Sequence, residues 1–222
     1  MNNFDLYKLL NFIVNKDMYS QAMNAGDFSL ELKAKNIRHL RKRLGLPENY
    51  TPGVVGTGVN RMTETDLAPF FVEGVYPVNA TTGEVTLPNW YYVEDYFTAT
   101  SRTSDLISKQ EASSRLRNAL TKPTAKDLAA YIIKKGMKVF PFGVGGVTAV
   151  TVLFYRKPVE PSFMLTTNPV TLEYEYSPLS VELEWEDGGK LDILHMILAE
   201  LGFNIERQEV SQYAMKLVET GK

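Results

Sequence analysis

A chain of 222 residues with 44% hydrophobic and 23% charged residues has the balance of a globular protein able to build a sizeable core. Its 24 basic and 26 acidic residues leave a net charge of −2, which excludes a global pull toward nucleic acid or anionic membrane while leaving local patches open. Cysteine is absent, so disulfides, thiolate metal sites and cysteine nucleophiles are excluded.

The N-terminus, "MNNFDLYKLLNFIVNKDMY", mixes acid and lysine with apolar residues and lacks a small-residue cleavage site, so no signal peptide is expected. No apolar run approaches the roughly 20 residues that span a bilayer. The expectation is a soluble product used in the cell that makes it, without membrane association.

Residues 4–16 predict a helix, with Leu6, Leu9, Leu10 and Ile13 on one stripe. A second helix fits 27–44, with Asp27 as cap, Glu31 near the positive end, and Gly45 and Pro47 as stop signals. Its apolar set is Phe28, Leu32, Ile37, Leu40 and Leu44. The stretch "LPENYTPGVVGTGVNRM", 46–62, is rich in Gly and Pro and reads as a linker, with a short helix after it over 64–73. From 74 to 101, Val, Thr and aromatics punctuated by Pro and Gly predict short strands, with a turn at "TTGE". A helix is predicted over 109–120, before Pro123. Strands follow at 130–133, 137–141 and 147–155. Leu191, Leu194, Leu198 and Leu201 repeat at helical spacing up to the break "GFN", and a last helix places Val210, Tyr213, Ala214, Leu217 and Val218 on one face. The order predicts α+β in a single domain over 1–222. N-terminal helices take 1–45 and a linker with a short helix 46–73; a small antiparallel β-rich middle takes 74–187 and C-terminal helices 188–222.

The glycine tetrad Gly143-Val144-Gly145-Gly146 invites a phosphate-binding reading, which its surroundings reject. A P-loop needs a lysine and a hydroxyl after its last glycine, and a dinucleotide fingerprint needs a following helix. Here β-branched residues follow, so the tetrad reads as the turn of a β-hairpin. His39 and His195 lack partners at ligand spacing, and no G-x-S-x-G elbow occurs. Asp192 and Glu200, eight positions apart on one helix, form no obvious acid/base pair. The acids Glu173, Glu175, Glu182, Glu184, Glu186 and Asp187 alternate with larger side chains, as on solvated strand faces, and lack the offsets of a calcium loop. No catalytic, cofactor-binding or metal-ligating residue emerges, and no cofactor is expected.

Two clusters remain. Lys33, Lys35, Arg38, Arg41, Lys42 and Arg43 lie within eleven residues of the second helix. They read first as a solvated face whose cations suit the helix C-terminus, and secondly as a contact for nucleic acid or an acidic partner. Trp90, Tyr91, Tyr92, Tyr96 and Phe97 crowd into eight residues, as a core strand or as a candidate subunit interface.

Three segments together carry a resemblance. The first, "YKLLNFIVNKDMYSQAMNAGDFSLELKAKNIRHLRKRLGLPENYTPG", is a helix pair ending in G-L-P-x-x-Y-x-P-G. The second, "ISKQEASSRLRNALTKPTAKDLAAYIIKKGMKVFP", runs from a short helix through T-K-P-T to a strand. The third joins "VTVLFYRKPVEPSF" to "SVELEWEDGGKLDILHMILAELGFNIERQEVSQYAMK". Together they resemble a family of virion structural proteins of tailed phages that infect Bacteroidetes, including crAss-like phages. The general plan is similar to head–tail connector (adaptor) and podovirus tail-tubular proteins.

The resemblance implies a non-enzymatic subunit of a homo-oligomeric ring of twelve copies at the head–tail junction of the virion, assembled in the host cytoplasm. Its implied partners are further copies of itself, the portal protein and other neck or tail rings, with genomic DNA passing through the lumen without sequence-specific binding. The alternatives are another neck or tail-terminator structural protein, and an intracellular enzyme or nucleic-acid-processing accessory with a site the sequence does not display.

Overall fold

A computed structural model describes residues 1–16, 23–47, 64–101, 103–169 and 173–201. The chain is α+β. Where the sequence suggests a single domain, the chain divides into two compact units: the first combines 1–40 with 158–222, and the second is 41–157.

The first unit is built on α1 (Asn3–Lys16), most of α2 (Ala25–Arg43) and α5 (Asp187–Glu200), with the hairpin β8 (Leu165–Thr167) and β9 (Tyr174–Tyr176). Of the α1 stripe Leu6, Leu9 and Leu10 are buried, with Val14 in the place expected of Ile13, which is half-buried; Phe28 and Leu32 of α2 and Ile193, Leu194, Ile197 and Leu198 of α5 are buried too. Phe163 stands among the rings of Phe4, Tyr7, Phe28 and Tyr176. The start of α2 differs from expectation. Asn24 Oδ1 accepts the Asp27 N–H at 2.8 Å and the Asn24 side-chain amide donates back to Asp27, so Asn24 is the cap and Asp27 its reciprocal partner. At the other end Leu46 N–H donates to Arg41 O and Gly45 N–H to Lys42 O, with Gly45 at φ 65°. This pairing satisfies the last carbonyls and requires the left-handed backbone that glycine adopts freely.

The second unit follows with α3 (Glu64–Leu67), a 3₁₀ turn (Ala68–Phe70) and β1 (Phe71–Pro77), so the helix expected over 64–73 stops early and turns into a strand. Next come β2 (Glu84–Thr86), β3 (Trp90–Phe97), β4 (Thr103–Leu106), α4 (Lys109–Arg117), β5 (Asp127–Ile133), β6 (Gly136–Phe140) and β7 (Ala149–Arg156). They form two sheets, of strand order β1-β7-β3 and β2-β6-β5-β4. Two expectations are corrected here. The middle is not wholly antiparallel, because β4 and β5 run parallel, connected through α4. The glycine tetrad is not a hairpin turn either, since β6 and β7 lie in different sheets and the tetrad turns the corner between them.

The two sheets share one core. Val93 and Tyr96 of β3 with Val150, Val152 and Phe154 of β7 pack with Val85, Leu128, Ala130, Met137 and Val139 of the other sheet. Alternation along each strand sends Ala129 and Phe140 to the opposite face of the four-stranded sheet, where they cluster with Ile107 and with Ala112 of α4. The four-stranded sheet is thus covered on both faces. Ser108 caps α4 by accepting the Glu111 N–H at 3.1 Å, and α4 ends at Arg117, three residues before the expected end. The linker expected over 46–62 lies outside the described residues beyond Pro47, as do the "GFN" break and the last helix.

Candidate interaction surfaces

The aromatic run is core before it is surface. Trp90, Tyr91, Tyr92 and Tyr96 are buried in the chain, Trp90 and Tyr96 in the core shared by the two sheets. Phe97 alone of the five is exposed. Tyr96 O–H donates to Asp105 O at 2.9 Å, and burial first, then the Asp105 and Asp95 carboxylates, raises its pKa far above the phenol range. The Tyr91 hydroxyl accepts from Arg41 Nε at 2.6 Å. Burial, with Glu94 second, also raises the Tyr92 pKa.

The basic run is largely committed to ion pairs and hydrogen bonds. Lys35 is buried and pairs with Glu31 and Glu200, and Arg38 reaches Glu200 at 2.9 Å. Arg43 meets Asp66 at 3.0 Å, while Lys33 and Lys42 are exposed. The Lys35 hydrogen bond holds the Glu200 carboxyl below the usual carboxylate range, with Arg38 adding to the effect. What remains for a phosphate backbone is a thin strip rather than a wall of charge.

The acids sort themselves similarly. Glu182 accepts from Asn3 N–H and Tyr176 O–H, and Glu184 from Val159 N–H at 2.7 Å, whereas Glu173, Glu175, Glu186 and Asp187 are exposed. Burial, with Glu182 as second cause, pushes the Tyr176 hydroxyl up to about 12. His39 is buried edge-on to Trp185 with ring centroids 4.5 Å apart, and Trp185 Nε1–H donates to Asn36 Oδ1 at 2.6 Å. That histidine is a packing element. Among the described residues no group of three or more His, Asp or Glu is arranged to hold a metal, and no helix is long and apolar enough to cross a membrane.

An open cleft of about 750 Å³ in the first unit is walled by Phe4, Tyr7, Phe12 and Tyr174, with the amides of Asn11 and Asn15. Lys8 also lines it, with Nζ 4.1 Å from the centre of the Phe4 ring. Asn11 Oδ1 already accepts from Met23 N–H and Tyr7 O–H donates to Met23 O. Aromatic walls with amides suit apolar contact and backbone pairing rather than proton transfer.

Two surfaces of the second unit stand out, and the sequence reading named neither in full. The first is the outer face of the three-stranded sheet. Register places Val75, Thr151 and Phe97 in one row and Glu73, Leu153 and Asp95 in the next, all directed away from the shared core. At the far end of this face Tyr92 and Tyr155 are buried, but Val75 is 70% exposed and Phe97 37%. The second surface is the loop 118–126. Asn118 accepts from Leu120 N–H and Thr121 N–H, Thr124 Oγ1 donates to Asp127, and Pro123 is buried, yet Leu120 at the tip is 95% exposed. Lys122 and Lys126 flank it, both exposed. Val144 of the glycine corner is fully exposed as well. It extends from the same end of the sheet, because β5 begins where β6 ends, with Ala129 opposite Phe140.

No protein-family model matches the chain, and no curated protein matches it in sequence.

Proposed function

We propose that the chain is a non-enzymatic virion structural protein of a tailed phage, a subunit of a head–tail connector or upper-tail ring around the DNA channel below the portal. The three segments that resemble such proteins support this reading. The observation that carries it is the pair of unlike surfaces on the second unit, a sheet face that exposes Val75 and Phe97 and a loop that exposes Leu120. A ring contact is heterologous, so each subunit must carry two different complementary patches. A contiguous exposed apolar patch, rather than a single exposed side chain, marks a surface used in association, and Val75 and Phe97 share one row of the sheet face.

In such a ring the basic strip of α2 faces a neighbouring protein rather than the channel. Its lysines and arginines are mostly engaged with carboxylates and with Tyr91, and sliding DNA is served by a wall without dense positive charge. The test is the particle itself. Mass spectrometry of gradient-purified virions should find the protein at a fixed stoichiometry to the portal, and cryo-electron microscopy of the neck should place it in a ring. Absence from purified virions would sink the reading.

A further inference from the structure

We infer that the loop 118–126 of one copy seats on the outer face of the three-stranded sheet of a second copy, with Leu120 against Val75 and Phe97 and with Lys122 and Lys126 toward Glu73 and Asp95. This contact deepens the ring reading above and rests on it for the expectation that copies associate.

The argument begins with layers. The four-stranded sheet is sandwiched between the three-stranded sheet and α4, whereas the outer face of the three-stranded sheet leaves Val75 and Phe97 in solvent at the end of the strands marked by Thr151. A solvated antiparallel face ordinarily alternates polar side chains outward, and here Phe71, Val75, Leu153 and Phe97 take those positions. Charge then selects the occupant. The charged residues among them are acids, Glu73 and Asp95, both exposed. Two such faces packed against each other would crowd four carboxylates, which disfavours a symmetric sheet-on-sheet dimer. The loop 118–126 has the opposite character. Its cations are Lys122 and Lys126, it holds no acid, and Leu120 is presented on backbone already ordered by Asn118 and Thr124. An apolar knob preset in this way loses little freedom on docking. Knob and face differ in shape and in sign, so the contact is head-to-tail.

Because the chain has no cysteine, single thiols report the contact cleanly. Full-length Val75→Cys, Leu120→Cys and the double variant would be treated with a short bis-maleimide at high protein concentration and run on denaturing gels. The expected result is a ladder of trimers and longer species from the double variant, dimers from a mixture of the two single variants, and monomer from either single variant alone. Reversing Lys122 and Lys126 to Glu should cut the ladder about tenfold, and adding Glu73→Lys to that chain should recover at least part of the loss. Efficient dimers from Val75→Cys alone would mean a sheet-on-sheet pair and overturn the inference. No ladder at the highest soluble concentration, or a ladder indifferent to the charge reversal, would overturn it too. Val75→Arg provides the remaining control: a large fall in the melting temperature of the dilute monomer would mean that the face is covered by its own chain, again against the inference. The two readings fail separately. A ladder from a protein absent from virions removes the ring reading and keeps the contact, whereas a virion protein that gives no ladder does the reverse.

Discussion

Lys35 is buried on α2 with its ammonium between two carboxylates, those of Glu31 and Glu200. A buried cation stripped of a partner is costlier than an exposed pair is helpful. Glu200 is about half exposed and Glu31 remains, so Glu200→Gln should cost about 1 kcal/mol in urea unfolding, at the upper end for a solvent-screened pair. The pH dependence has a definite sign. Glu200 is held below its unfolded pKa, so its contribution is fully present above about pH 4.3 and fades as pH falls through the lowered value. The variant should therefore lose less stability than the parent on acidification through that window; equal acid slopes would contradict the assignment. At the glycine corner, neighbouring residues have different needs. Gly145 has φ 74° with open space around it, so Gly145→Ala should cost ~1 kcal/mol from backbone strain alone. A Cβ on Gly146 would lie 2.6 Å from the Phe142 carbonyl carbon, so Gly146→Ala should cost about 2 kcal/mol or more, because backbone must move. Equal losses at the two positions would mean that the corner is not held as described.

Strand β3 decides between the two readings of the aromatic run. Trp90 and Tyr91 are buried in the second unit, so Trp90→Ala with Tyr91→Ala should remove more than about 4 kcal/mol and compromise the monomer itself. Phe97→Ala, on the exposed end of the same strand, should cost about 1 kcal/mol and leave a folded monomer. Circular dichroism melts of dilute protein check both. A double variant that melts like the parent would return the pair to an interface role. The contrast also explains what was legible in the sequence. Helices α1 and α2 were readable because one-sided burial leaves a 3.6-residue period, whereas α5, apolar on more than one side, was readable as a leucine repeat of which Leu194 and Leu198 are buried and Leu201 is exposed. Strands β5 and β6 were readable as short apolar runs of residues buried on both sides or nearly so, and β7 as an apolar run whose core-facing residues Val150, Val152 and Phe154 are buried. Strand β4, "TSDL", was not, because a four-residue polar strand owes its existence to a parallel partner over twenty positions away. The false hairpin has a related origin. Glycine chemistry predicts that the chain turns, but pairing depends on which sheet each strand joins, and that is a non-local property. The exposed sheet face was invisible for the same reason, since Val75 and Phe97 become neighbours of Thr151 only once register is fixed.

At the scale of the molecule, the second unit is inserted into the first, whose two halves are separated by 117 residues of sequence, 41–157. Each unit has its own buried cluster: aromatic and leucine-rich in the first, and shared between sheets in the second. A unit closed by such distant segments holds only while both segments are docked, whereas the inserted unit is continuous in sequence. Separate cores predict separate opening reactions. Phe28 is fully buried in the first unit, with ring centroids 5.3 Å from Tyr7 and 5.1 Å from Phe163. Phe28→Ala should therefore cost about 3–5 kcal/mol there. Native-state hydrogen exchange should show amide protection falling by that amount across α1, the first turns of α2, and α5. Protection in β5, β6 and β7 should stay within about 0.5 kcal/mol of the parent, as for mutations at sites that share no partners. A uniform fall across both sets of amides would mean that the chain opens as one cooperative body, and the description of two independently stabilised units would have to be abandoned.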